Sequence, residues 1–135
     1  MIKFTELKKG GDVIANFEGD LKRGEIVEIK NAEKQVCVKI GESSYWFSPE
    51  NVFSIEINDT ELKHLKFTKQ TNEEGNIKYM KGAFRMLIPK EDDFSRMEIW
   101  YRDEQRHVTE QIPLHVLQNH FYEMTKVHLN DMSFA

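Results

Sequence analysis

The stretch EIVEIKNAEKQVCVKI, residues 25–40, decides the fold class. Val27 and Ile29 alternate with Glu28 and Lys30. After a turn at Asn31-Ala32-Glu33, Val36, Val38 and Ile40 alternate with Cys37 and Lys39. Successive side chains of a strand point to opposite faces, so a period of two reads as two half-buried strands joined as a hairpin. Toward the N-terminus, a strand over Asp12–Phe17 follows Gly10-Gly11 and leaves through Glu18-Gly19-Asp20. Glycine tolerates positive φ there and aspartate bonds its own backbone. Toward the C-terminus, Tyr45 and Phe47 share one face of a fourth strand. Ser48-Pro49-Glu50 then begins a tight helical turn, and Phe53, Ile55 and Ile57 line a fifth strand. Five short strands cut by closely spaced turns predict an SH3-like five-stranded barrel over residues 1–58.

Asn58-Asp59-Thr60-Glu61 changes the regime. Asp59 or Thr60 is placed to cap a short linker helix carrying Leu62 and Leu65. Strand character returns at Lys66–Lys69, Ile77–Lys81, Ala83–Pro89 and Met97–Arg102, the last placing Met97, Ile99 and Tyr101 on one face and Trp100 on the other. Pro113 suits the first turn of a helix, and Leu114, Leu117, Phe121 and Met124 form an apolar stripe up to Val127. The tail from Asn130 to Ala135 reads as frayed. The fold class expected is α+β, with residues 59–135 supplying a linker helix, a small antiparallel sheet and a C-terminal helix packed on it.

At 135 residues the chain is long enough to bury a core without a metal or disulfide, in one domain or two small lobes. Its single cysteine, Cys37, forms no internal disulfide, and no stretch has the tripartite pattern of a signal peptide, so a cytoplasmic location is expected. The longest apolar runs fall far short of the roughly 20 residues that cross a bilayer. A net charge of −4 opposes general attraction to nucleic acid or anionic membrane, which leaves any such role to a local patch.

Three segments carry a resemblance: Glu6-Leu7-Lys8-Lys9-Gly10-Gly11-Asp12-Val13, the helix region Asn58 to Phe67, and Leu114-His115-Val116-Leu117-Gln118-Asn119-His120-Phe121-Tyr122. Their order resembles a group of small uncharacterised bacterial proteins found with phage and conjugative elements of gut anaerobes. Those proteins open on Glu-Leu-Arg-Ile-Gly-Asn, carry Leu-Thr-Glu-Glu-Trp-Leu in the middle and have Leu-Gln-Asn in the last helix. The second glycine here is an intrusion, and the middle tryptophan is missing. The resemblance implies a two-part fold and a mobile-element context, and no reaction.

Catalytic candidates are sparse. His115, His120 and Glu123 offer ligand types for zinc, but positions five apart diverge by about 140° around a helix, so the two imidazoles do not meet on one face. Glu91-Asp92-Asp93 lacks the spacing and glycine of a calcium loop and reads as a solvated turn. Cys37 has no histidine neighbour in sequence and reads as structural. With no phosphate loop, nucleophile elbow or His-Glu-x-x-His motif, the expectation is a non-enzyme without metal or cofactor.

Binding has more to use. Lys63, Lys66, Lys69, Lys78, Lys81 and Arg85 stand between Leu62 and Arg85 against only Glu73 and Glu74, with Phe67, Tyr79 and Phe84 interleaved. Basic residues grip phosphates and exposed aromatics stack on bases. The acidic stretch Glu91–Glu104 offers the alternative that the two runs neutralise each other across adjacent strands. Trp46 points away from Tyr45 and Phe47, and like Trp100 is a candidate surface aromatic. The expected function is a non-catalytic binding or adaptor module of a mobile element, with nucleic acid or protein as ligand and no membrane. The alternative is a structural or self-associating accessory protein; a metal-dependent enzyme comes third.

Overall fold

The computed structural model describes residues 2–129, so the tail from Asn130 to Ala135 lies outside the described residues. The fold is α+β, with two antiparallel sheets of five strands each and a C-terminal helix. Strands β1 (Asp12–Phe17), β2 (Asp20–Lys30), β3 (Gln35–Ile40), β4 (Ser43–Phe47) and β5 (Val52–Phe53) form the first sheet in the order β4-β3-β2-β1-β5. Helix α1 (Asp59–His64) precedes β6 (Thr68–Thr71), β7 (Ile77–Lys81), β8 (Phe84–Ile88), β9 (Met97–Tyr101) and β10 (Glu104–Val108), a meander in the order β10-β9-β8-β7-β6; helix α2 (Leu114–Thr125) follows. Two compact units result. The first holds the chain up to Glu56 with Pro113–His120, and the second holds Ile57–Ile112 with the chain from Phe121 on.

In the first unit Leu7, Val13, Ala15, Ile26, Val36, Val38, Phe47 and Val52 form one core. The hairpin of residues 25–40 is present, but its alternation is broken by a bulge between Ile26 and Glu28. The extra residue, Val27, shifts the phase, so Ile26 is fully buried where strict alternation would bury Val27. The expected fifth strand is also corrected. A 3-10 turn over Pro49–Asn51 changes the phase, so Val52 is buried while Phe53 is 45% exposed, and β5 is only two residues long. That short strand pairs with β1 alone, and the ladder is an open sheet edged by β4 and β5 rather than a closed barrel.

In the second unit the N-cap of α1 is Asn58 rather than the expected Asp59 or Thr60, its Oδ1 accepting the Glu61 N–H at 2.8 Å. The helix ends in a Schellman pair: Lys66 N–H donates to Lys63 O, and Phe67 N–H to Leu62 O. This puts Lys66 at φ 72°, a left-handed site that glycine normally fills. Ile77, Tyr79, Phe84, Met86, Ile88, Met97 and Ile99 line the buried face of the sheet. The Phe84 ring meets that of Phe121 from α2 edge-on at 4.7 Å. Strand β10 has no counterpart in the sequence reading, since Glu104-Gln105-Arg106-His107-Val108 carries no apolar alternation. It is a charged edge strand, closed onto β9 by the turn at Arg102-Asp103.

Candidate functional site

Strand alternation that buries one face of the second sheet leaves Lys78, Arg85, Leu87, Glu98 and Trp100 on the other, all half-buried. The register sets Arg85 opposite Trp100, Leu87 opposite Glu98 and Lys78 opposite Leu87. These five residues line a shallow concavity of about 260 Å³. The Arg85 guanidinium carbon stands 5.7 Å from the Trp100 ring centroid, a cation–π contact, and Arg85 Nε is buried without a hydrogen-bond partner among the described residues. Leu87 and Glu98 also border a larger cavity of about 450 Å³ that reaches Asn76, Arg96 and His107. His107 Nδ1 lies 3.6 Å from Glu98 Oε1, an ion pair when the imidazole is protonated.

Three of the remaining four basic residues, Lys63, Lys69 and Lys81, are engaged elsewhere. Lys63 pairs with Asp59 at 2.9 Å one turn earlier on α1, and Lys69 reaches both Asp59, at 3.4 Å, and Glu91. The buried Tyr79 hydroxyl donates to Asp59 at 2.6 Å. That hydrogen bond, with the one from Lys63, pulls the Asp59 carboxyl down to about 2, while burial pushes the Tyr79 hydroxyl up. The hydrogen bond to Glu91 raises the Lys69 ammonium. Of these pairs only Lys69–Glu91 joins the basic run to the acidic stretch Glu91–Glu104; Lys63 is paired within its own helix. Lys66 is exposed at the end of α1. Lys81 corrects the expected basic surface: it is 5% exposed, and its ammonium donates to Leu65 O at 3.0 Å and Leu129 O at 2.8 Å. It lies on the same face as Ile77 and Tyr79, so its charge faces the core.

In the first unit Trp46 is 37% exposed on the edge strand β4, with Lys30 Nζ 4.4 Å above its ring. Phe47 is buried and Tyr45 packs against Phe17 at 4.3 Å between centroids. Cys37 is buried, and burial, with the nearby Glu28 carboxylate, raises its thiol pKa, the opposite of what a reactive nucleophile needs. In the acidic turn, Asp93 Oδ1 accepts the Ser95 N–H at 3.1 Å. Among the described residues no group of three or more His, Cys, Asp or Glu is placed to hold a metal ion. No helix of the described residues is long and apolar enough to cross a membrane.

The Leu117-Gln118-Asn119 sequence has a role that periodicity alone does not reveal. Gln118 Oε1 accepts the Asp12 N–H at 2.7 Å, and its Nε2 donates to Asp12 Oδ2 at 3.0 Å. Asn119 Nδ2 donates to Glu6 O at 2.8 Å. The two amides thus pin the segment that leads into β1, where Leu7 is buried and Gly10, at φ 89°, makes the turn. Gly11 allows that turn to close on the helix, since a Cβ there would lie 3.2 Å from the His115 Cβ. No protein-family model, curated protein or solved structure matches the chain.

Proposed function

We propose that this chain is a non-catalytic binding module that holds single-stranded nucleic acid on the outer face of its second sheet. One observation carries the reading: Trp100 lies half-buried within the sheet face, beside Arg85 and in the same concavity as Lys78. A flat ring takes any base by stacking, and two cations beside it take the flanking phosphates. Glu98, in the same concavity, would repel phosphate and accept an exocyclic amino group, which orients the base edge toward it. The overall charge of −4 confines attraction to this patch. Within the same proposal, the meander of the first sheet, with its 3-10 turn ahead of β5, is read as SH3-like. The mobile-element and cytoplasmic setting rests on the sequence resemblance and composition.

Fluorescence anisotropy of short labelled DNA and RNA single strands at low salt tests the reading. Binding in the micromolar range that weakens steeply with salt is expected, and no binding at about 100 μM protein contradicts it. A second reading, self-association, is favoured by the apolar Ile14, Leu21 and Phe53, which alternation and register place on the outer face of the first sheet, with Leu21 66% exposed. Light scattering that reports a monomer at high concentration counts against it.

A further inference from the structure

His115 stands in the first turn of α2, is 1% exposed, and has both ring nitrogens buried without a hydrogen-bond partner among the described residues. A buried polar atom left without a hydrogen bond is destabilising, so a buried imidazole missing both partners calls for a ligand or a water that completes it. Burial is the cause that drives its pKa down to about 4, which keeps the ring neutral near pH 7, with one nitrogen a donor and the other an acceptor. The same residue lines a surface cavity of about 350 Å³ in the first unit. Ile2, Val52, Phe53 and Pro113 give that cavity an apolar wall, and Phe53 is otherwise 45% exposed. Lys3, Glu6 and Ser54 supply its polar lining.

We propose that this cavity binds a small monocarboxylate with an apolar body, the carboxylate accepting from the His115 ring N–H and the Lys3 ammonium, and the body lying on Phe53, Val52, Ile2 and Pro113. The positive end of the α2 dipole favours an anion at this position. Glu6 in the same lining limits the ligand to a single negative charge, which excludes phosphate and nucleotides. The volume suits a ligand of modest size, at the low end of ordinary small-molecule sites. Both ring nitrogens are closed to solvent, so access of the carboxylate head to them requires the long side chains of Lys3 and Glu6 to move aside. This site is independent of the nucleic-acid reading.

The test is NMR of the imidazole nitrogens and backbone amides of the full chain, titrated with sodium benzoate to about 10 mM, enough to reveal a Kd near 1 mM. Saturable shifts at the His115 ring, Lys3 and Ser54 are expected. His115→Phe, which keeps a buried ring without nitrogens, abolishes them, and Lys3→Gln, at an exposed residue, weakens binding severalfold. Absence of saturable shifts in the unmodified protein overturns the proposal. So do shifts that survive both substitutions, or equal shifts with inorganic phosphate.

Discussion

Both units carry a five-stranded antiparallel sheet with a tryptophan on the outer face under a cation: Lys30 over Trp46 at 4.4 Å in the first, Arg85 over Trp100 at 5.7 Å in the second. Trp46 stands on the edge strand β4, while Trp100 stands on β9, one strand in from the edge and inside a concavity with Lys78. An interior strand flanks its aromatic with side chains from two neighbours, here Arg85 and Gln105, which turns an isolated ring into a platform. Position within the sheet, rather than residue type, separates the two tryptophans.

The buried titratable groups differ in a parallel way. Lys81 of the second unit carries two carbonyl acceptors, whereas His115 of the first has none among the described residues. An ammonium is strongly disfavoured without acceptors, but an imidazole sheds its proton at neutral pH and survives uncharged. The largest expected effect comes from breaking the first arrangement. Lys81→Met strips a donor from Leu65 O and Leu129 O and should lower stability by about 3 kcal/mol, read as a fall in the urea midpoint. A midpoint unchanged within error would mean that water satisfies those carbonyls.

An effect of similar size separates the units by pH. With the His115 pKa lowered to about 4 by burial, the unfolded chain takes up a proton below about 6.5 that the folded chain refuses. Stability is therefore whole above pH 6.5 and falls between 6.5 and 4, by about 3 kcal/mol at roughly 1.4 kcal/mol per pH unit. His115→Phe should flatten that window. Asp59 acts below it: its depressed carboxyl contributes stability above about 3.8 that is lost as pH falls toward 2. Urea unfolding at pH 7, 5 and 4 checks this, and a slope through the upper window that persists in His115→Phe would assign it to other groups.

Much of this was legible in the sequence. The bounds of β1 and β7, the hairpin of residues 25–40 and the stripe of α2 follow from periods of 2 and 3.6. Shifts of phase were not: Val27 as a bulge moves side chains to the other face, and although the turn at Ser48-Pro49-Glu50 was readable, the phase of the strand after it was not, so Phe53 ends exposed. Strand β10 hid because a charged edge strand lacks the apolar pattern that marks strands. Lys81 was readable, since the alternation Ile77, Tyr79, Lys81 already places it with the core residues, but its charge suggested surface. The concavity around Trp100 depends on cross-strand register, which no single segment encodes.

The smallest effect concerns a charge the fold holds under strain. Lys66→Gly relieves a left-handed backbone at φ 72° and should raise stability by up to about 1 kcal/mol. Unchanged strand affinity in that variant would also place Lys66 outside the binding face, and a tenfold loss would bring it in.

The most direct test of the central claim compares Trp100→Ala with Trp46→Ala in anisotropy titrations of one labelled single strand at low salt. Loss of a stacked base is worth about 1–3 kcal/mol, so Trp100→Ala should weaken binding roughly tenfold or more while Trp46→Ala leaves it unchanged. Equal affinities for both variants, or a loss confined to Trp46→Ala, would contradict the assignment of the second sheet as the binding face.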